Sequence, residues 1–283
     1  MAQAVSVQPA AITPIKEQRL NLDQKAFAEN YRLKRALFSV LLRFVWPFRA
    51  VYTCPICLYR GPFKKKTTRR YHHTRTDAKC PCCRANERAR LQYLVTADVL
   101  SRRSGGELDI LHVAPESILA KWLKSRARRY VSADLFRQDV DCRFDIESIP
   151  FADESFDLVF ASHVLVYARD DRKAIAEVRR ILRPGGIAIM PVPIVGDKTV
   201  DPEGRRFFHE PGLDYTDRFR DVFDEVREYF SGEFDARYQL YFYESALPGA
   251  PDSQAEPHPA SMRVSEGKYA DMVPVCHVAA RPE

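Results

Sequence analysis

The sequence predicts an α/β fold: a doubly wound, mostly parallel sheet, preceded by a small zinc-ribbon-like module and an N-terminal helix. Three observations predict it. From Leu108 to Met190, short apolar runs alternate with helical stretches, the pattern of parallel strands joined by crossover helices. Five of the seven cysteines fall between Cys54 and Cys83, a clustering that reads as metal ligands rather than a disulfide framework. Charge also divides the chain: residues 1–104 carry 21 Lys or Arg against 6 Asp or Glu, and residues 105–283 carry 23 against 32. Such asymmetry indicates modules with different partners. The expected organisation is a flexible leader and amphipathic helix over 1–50, a basic zinc-binding module over 51–104, and the α/β domain over 105–283.

In the α/β part, Leu108–Ala114 reads as a buried strand and Ser117–Ala127 as a helix. Tyr130–Ala133 is a second strand ending in Asp134, and Val140–Phe144 a third ending in Asp145. Leu158–Ser162 is the fourth. Asp171–Arg183 places Ala174, Ile175, Val178 and Leu182 on one helical face, and Pro184-Gly185-Gly186 stops it. Ile187–Met190 is the fifth strand. Tyr238–Glu244 and Asp271–Ala280 are later strands, separated by a Pro-, Ser- and Gly-rich loop over Ser245–Gly267. Ligands of such sheets bind at the carboxyl ends of the strands. The residues there are Ala114, Pro115 and Glu116, then Asp134, then Asp145 and Ile146, then Ser162 and His163. Asp134 lies 18 residues beyond Glu116, where a carboxylate accepts both hydroxyls of a ribose.

The hydrophobic content, 46%, is enough for a core and excludes wholesale disorder. No run of 18 apolar residues exists, so no membrane-spanning helix is expected. The opening residues lack a basic head followed by an apolar stretch, so the expected compartment is the cytoplasm. From Asn21 to Phe48 a helical period appears, with Leu33, Leu37, Leu41, Phe44 and Phe48 on one face and Arg32, Lys34, Arg35, Arg43 and Arg49 flanking it. Peripheral contact with an anionic membrane or packing on protein would both use such a helix.

Cys54-Pro-Ile-Cys57 and Cys80-Pro-Cys82-Cys83 are separated by 22 residues, slightly beyond the usual gap of roughly 15–20. Each Cys-x-x-Cys turn offers two thiolates to adjacent tetrahedral corners of one Zn²⁺, so Cys54, Cys57, Cys80 and Cys83 complete a site. Cys82 is expected to point away, and His72 or His73 could replace a ligand. Four thiolates leave no open position, so the zinc is structural. Between the knuckles, Arg60–Arg75 holds seven Lys or Arg, no acid, and the aromatics Phe63 and Tyr71. With Arg84, Arg88 and Arg90 it could form a phosphate-binding face, or a solvated hairpin.

The runs LDILHVAPE, YVSADL, DIESIPFADESFDLVFASHVL, ILRPGG and MPVPI span about 85 residues. Over them the chain resembles class I S-adenosylmethionine-dependent methyltransferases of the type 11 group, which have a Rossmann-like sheet. The CPxC…CPCC run followed by Glu87-Arg-Ala-Arg90 and LHVAPE resembles a subgroup with an N-terminal zinc module. The resemblance implies that Ala114–Glu116 lie against the methionine part of the cofactor, that Asp134 binds the ribose, and that Asp145 and Ile146 recognise adenine. Ser162 and His163 would sit beneath the sulfonium. Two departures stand out. The usual glycine-rich first loop is here His112-Val-Ala-Pro-Glu-Ser117, and the Glu-His pair common after the fourth strand is here Val166-Tyr167.

Methyl transfer is an in-line displacement, so the protein mainly aligns donor and acceptor. A hydroxyl acceptor also needs a base. Gly196–Tyr229 contains His209, Asp214 and Tyr215 close together without apolar period, which suits a lid over a site. The expected activity is methyl transfer to a small molecule or glycan. The alternatives are an RNA methyltransferase that holds RNA on the basic module, and a non-catalytic zinc-containing adaptor.

Overall fold

A computed structural model describes residues 22–68, 73–103, 106–202, 207–242, 244–246, 262–264, 267–269 and 272–281. The expected leader, Tyr71, His72 and most of the Ser245–Gly267 loop lie outside these residues. The helical region is two helices, α1 (Leu22–Glu29) and α2 (Arg32–Val45). Asn30 and Tyr31 turn between them, their amides donating to the Phe27 and Ala28 carbonyls. Four short strands follow: β1 (Tyr52–Thr53), β2 (Arg60–Gly61), β3 (Lys64–Thr68) and β4 (His73–Lys79). Next come α3 (Glu87–Ser101), β5 (Leu108–Val113), α4 (Ser117–Lys124), β6 (Ala127–Asp134), β7 (Cys142–Arg143), β8 (Phe156–Ala161), α5 (Asp171–Arg180), β9 (Leu182–Ile189), α6 (Asp217–Arg220) and β10 (Glu225–Tyr229). The later strands are β11 (Tyr241–Phe242), β12 (Glu244–Ala246), β13 (Met262–Val264), β14 (Gly267–Tyr269) and β15 (Val273–His277).

The central sheet runs β10-β15-β9-β8-β5-β6-β7. Strands β5 to β9 are parallel; β15 and β10 add antiparallel edges. The chain runs outward from β5 to β7, then returns to β8 on the other side of β5. That reversal makes the switch-point cleft between β5 and β8. Both sheet faces are buried, as parallel sheets require. Ile110, Leu158, Phe160 and Val275 face one core, shared with α3 and α4. Leu111, Val159, Ala161 and Cys276 face the other, shared with α5 and the 215–223 segment. The four knuckle cysteines belong to the first core, so the zinc-ribbon-like module is continuous with the sheet's packing. β12 pairs with β4 and β11 with β14. No helix is long and apolar enough to cross a membrane among the described residues.

Several boundaries differ from expectation. α5 ends at Arg180 rather than Arg183, and β9 begins at Leu182, through Pro184-Gly185-Gly186. Pro184 disfavours helical backbone at Arg183. β6 begins at Ala127, inside the expected helix, because Arg128 grips Asp109 of β5 with two hydrogen bonds of 3.1 and 2.8 Å. The third strand contracts to Cys142–Arg143, because only these residues reach β6.

His112 of β5 is fully buried, its ring 5.0 Å from that of Phe160. Nδ1 is 2.9 Å from the Tyr130 hydroxyl. Burial pushes its pKa down to about 3. The unfolded chain, at about 6.5, therefore binds the proton first, and stability present above pH 6.5 is lost as pH falls. Between pH 7 and 5 the loss is about 2 kcal/mol. In His112→Asn the thermal midpoint should fall less over that interval than in the parent; equal slopes would show that His112 does not carry the effect.

Candidate functional site

The parallel register brings the expected residues to one edge. Val113 pairs with Ala133 and Ala161, and Ala133 with Cys142. The residues that follow, Ala114, Asp134, Ser162 and His163, therefore adjoin the cleft. The first loop is braced on two sides. The Ala114 amide donates to the Ala133 carbonyl at 2.7 Å, and Arg137 donates to the Pro115 carbonyl at 2.8 Å. Ala114 has φ +51, the left-handed conformation that glycine adopts freely and alanine only at a cost of about 1 kcal/mol. The loop thus takes a glycine-like path without glycine.

Glu116 opens α4 without capping it and instead lies 3.6 Å from Arg88. Arg88 and Gln92 are one turn apart on α3, whose N-terminus Asn86 caps by accepting from the Ala89 amide. Gln92 donates to Ser162 Oγ at 2.8 Å. Gln92 was not among the expected site residues, and Arg88 was expected only on a phosphate-binding face. Arg88 lies in the Glu87–Arg90 run, but nothing in its spacing says that α3 crosses to the cleft. Asp134 Oδ1 accepts the Phe136 and Arg137 amides at 2.8 and 3.0 Å. Its other oxygen makes no hydrogen bond among the described residues. Asp145 is exposed and accepts the Glu147 amide, whereas Ile146 is buried. Ser162 is buried, and His163 has φ +56 with its amide held by the Pro191 carbonyl. Tyr167, half exposed just beyond, sets its ring 5.1 Å from Phe207.

His209, Asp214 and Tyr215 have other partners. His209 is buried, with Nδ1 2.7 Å from Asp201 and Nε2 3.1 Å from the Ala168 carbonyl. Tyr215 donates to Asp171 at 2.6 Å, and Arg218 bonds both Asp171 and Asp201. Asp214 accepts from the Thr199 amide and hydroxyl, each at 2.7 Å, and its carboxyl is held below the ordinary range chiefly by that hydroxyl. This network ties residues 199–201 and 209–218 to the start of α5. Tyr215→Phe would leave the Asp171 carboxylate short of a donor and should cost about 1–3 kcal/mol of stability, read as a lower thermal midpoint. An unchanged midpoint with reduced turnover would instead place Tyr215 on the acceptor.

The four knuckle cysteines are buried, with all Sγ atoms within 4.8 Å of one another. The Cys54–Cys83 and Cys57–Cys80 sulfurs are 3.5 and 3.6 Å apart. Tetrahedral zinc with bonds of about 2.3 Å sets sulfurs about 3.8 Å apart, so the cluster fits the ion. Cys82 points away, toward the Tyr31 carbonyl at 3.9 Å. The two knuckles repeat one geometry. The Leu58 and Arg84 amides donate to the Cys54 and Cys80 carbonyls, and both residues are left-handed, φ +58 and +69. The basic residues of the hairpin and of α3 partly turn inward. Arg90 is fully buried and donates to the Ala78, Ala85, Tyr238 and Gln239 carbonyls. Arg75 is buried 3.7 Å from Glu87, and burial pushes Lys66 down to about 8.

The family profile described as methyltransferase domain matches residues 103–190. Residues 103–190 are a methyltransferase domain. Within curated proteins, a 70-residue stretch is 37% identical to dimethylglycine N-methyltransferase of Parasynechococcus marenigrum, covering 25% of this chain and 25% of that protein. An 86-residue stretch is 29% identical to an O-methyltransferase of Pyrenophora dematioidea, covering 29% and 32%. A 59-residue stretch is 46% identical to a polyketide synthase-nonribosomal peptide synthetase of Aspergillus clavatus, covering 21% and 2%. The chain therefore spans at most about a third of the length of these relatives. Among solved structures, the YcgJ protein of Bacillus subtilis is similar at 14% identity and a TM-score of 0.43, covering 67% of this chain and 99% of that one. The methyltransferase domain holds β5 to β9 and every expected cofactor residue, whereas the four knuckle cysteines precede it.

Proposed function

We propose that the chain is an S-adenosylmethionine-dependent methyltransferase acting on a small-molecule or glycan acceptor, with a structural zinc in its N-terminal module. The observation that carries the reading is the cleft edge of the methyltransferase domain. Arg88 and Glu116, 3.6 Å apart, offer a cation and an anion, the complement of an amino-acid headgroup carrying both charges. Asp134 keeps one carboxylate oxygen for a ribose. Buried Ile146, with Asp145 beside it, suits an adenine ring. These residues fit the cofactor, which when bound supplies an electrophilic methyl group.

The chain's own part is alignment and proton removal. Gln92 fixes Ser162, and the Pro191 carbonyl fixes the His163 backbone, so the floor of the site is held before an acceptor arrives. His163 is the base we assign to a hydroxyl acceptor. Tyr167 and Phe207 offer an aromatic wall to a ring-shaped acceptor. His209, Asp214 and Tyr215 orient the segment beside that wall rather than meet the transferred methyl. The inward Arg75 and Arg90 favour a small acceptor over RNA, because their guanidiniums are committed to protein groups. The adaptor reading draws on the glycine-free loop, but Ala114 already adopts the glycine-like conformation.

Calorimetric titration of the zinc-loaded chain with S-adenosylmethionine and S-adenosylhomocysteine tests the reading. Affinity for both in the micromolar range, about −8 kcal/mol, is the expected result, followed by methyl transfer in a screen of glycan and RNA acceptors. Folded protein that binds neither would favour the adaptor. A preferred RNA acceptor, with binding that falls steeply with salt, would replace the acceptor class.

A further inference from the structure

α2 has two apolar faces, and among the described residues only one is packed. Phe38 and Leu42 turn inward, and Arg35 on the same side donates to the Cys57 carbonyl at 3.2 Å. The opposite face carries Leu33, Leu37, Val40, Leu41, Phe44 and, just beyond the helix, Phe48. All are exposed, Leu33 at 85%, Phe44 at 89% and Phe48 at 100%. A contiguous stripe of this kind marks an interaction surface. At about 100° per residue, Arg32 and Arg43 run along one border of the stripe and Lys34 lies at the other.

We propose that this face of α2 rests on an anionic lipid surface. Charge selects the occupant. From Asn30 to Thr76 the sequence contains twelve Lys or Arg and no Asp or Glu. Lys64 sits 5.3 Å over the Phe38 ring, so the exposed Lys64 and Lys65 of β3 extend the positive field beside the helix. Basic residues bordering a phenylalanine- and leucine-rich face are the chemistry of an interfacial helix, whose cations meet lipid phosphates while its rings enter the acyl boundary. A second copy of the chain would bring two such cationic borders together, and the repulsion disfavours that occupant. Fourteen residues extend about 21 Å, too short to cross roughly 30 Å of hydrocarbon, so the helix lies in the plane of the surface. The hydrogen bond from Arg35 to Cys57 and the contact of Cys82 with Tyr31 fix the helix on the knuckles. The surface is thereby held at a set orientation to the rest of the chain. This proposal does not depend on methyl transfer.

Vesicle co-sedimentation of the full zinc-loaded chain tests it, comparing pure phosphatidylcholine with vesicles containing roughly 30% phosphatidylglycerol. The expected result is at least about tenfold tighter association with the anionic vesicles, weakened by salt. Phe44→Ser/Phe48→Ser should lose about tenfold or more of that association with an unchanged thermal midpoint, since both rings are already exposed. Arg32→Glu/Arg43→Glu should remove the preference for anionic lipid. No association with anionic vesicles, or double variants that associate as the parent does, would overturn the proposal. So would a dimer in sedimentation velocity that Phe44→Ser/Phe48→Ser converts to monomer while the parent ignores vesicles.

Discussion

Cys54→Ser is expected to lower the thermal midpoint by roughly 10 °C and to make the chain sensitive to chelators. The four sulfurs are spaced for one tetrahedral ion, and a structural zinc contributes about 10–16 kcal/mol to its folded module. Losing a third of that, at roughly 2–4 °C per kcal/mol for a chain of this size, gives the stated shift. The loss should not stay local. Cys54, Cys57, Cys80 and Cys83 share a core with Ile110, Leu158 and Val275 of the sheet. Metal analysis of the purified chain should find one zinc per molecule. A zinc-free chain with the parent's midpoint would identify the cluster as free thiols.

Asp134→Ala should weaken S-adenosylmethionine binding by about 10- to 100-fold, the equivalent of about 1.5–3 kcal/mol for hydrogen bonds to a charged group. Because Oδ1 also holds the turn at Phe136 and Arg137, alanine removes two functions together. Asp134→Asn separates them. An asparagine oxygen can still accept both amides, but its NH₂ replaces the carboxylate oxygen that would meet the ribose. Calorimetry should therefore find both variants weak. If asparagine binds as the parent does and alanine does not, Asp134 acts only through the turn, and the ribose assignment is wrong.

The cleft residues Ala114, Asp134 and Ser162 were legible in the sequence because strand alternation and strand ends are local signals. The knuckles were legible for the same reason, since two thiols in each turn are three positions apart. Arg88 and Gln92 were not. Their role depends on where α3 crosses the sheet, and the Gln92–Ser162 bond joins residues 70 apart. His209 and Tyr215 looked like free chemistry because their type and proximity are visible in sequence. Their shared partner Asp171 comes from the start of α5, 44 residues before Tyr215, and is assigned only by packing. The start of β6 was placed at Tyr130 because Arg128 and Arg129 are not apolar, whereas Arg128 anchors the strand through Asp109.

Arg90 is satisfied late in biosynthesis. It leaves the ribosome with α3, but the Tyr238 carbonyl that accepts its Nε is 148 residues further along the chain. At about 5–20 residues per second, the interval is roughly 7–30 s. β4 waits similarly for β12 to cover its free edge. During that time a zinc ion, if taken up by the knuckles, complete by Cys83, would close them. Zinc availability during synthesis should therefore set the yield of soluble nascent chain as well as the stability of the finished protein.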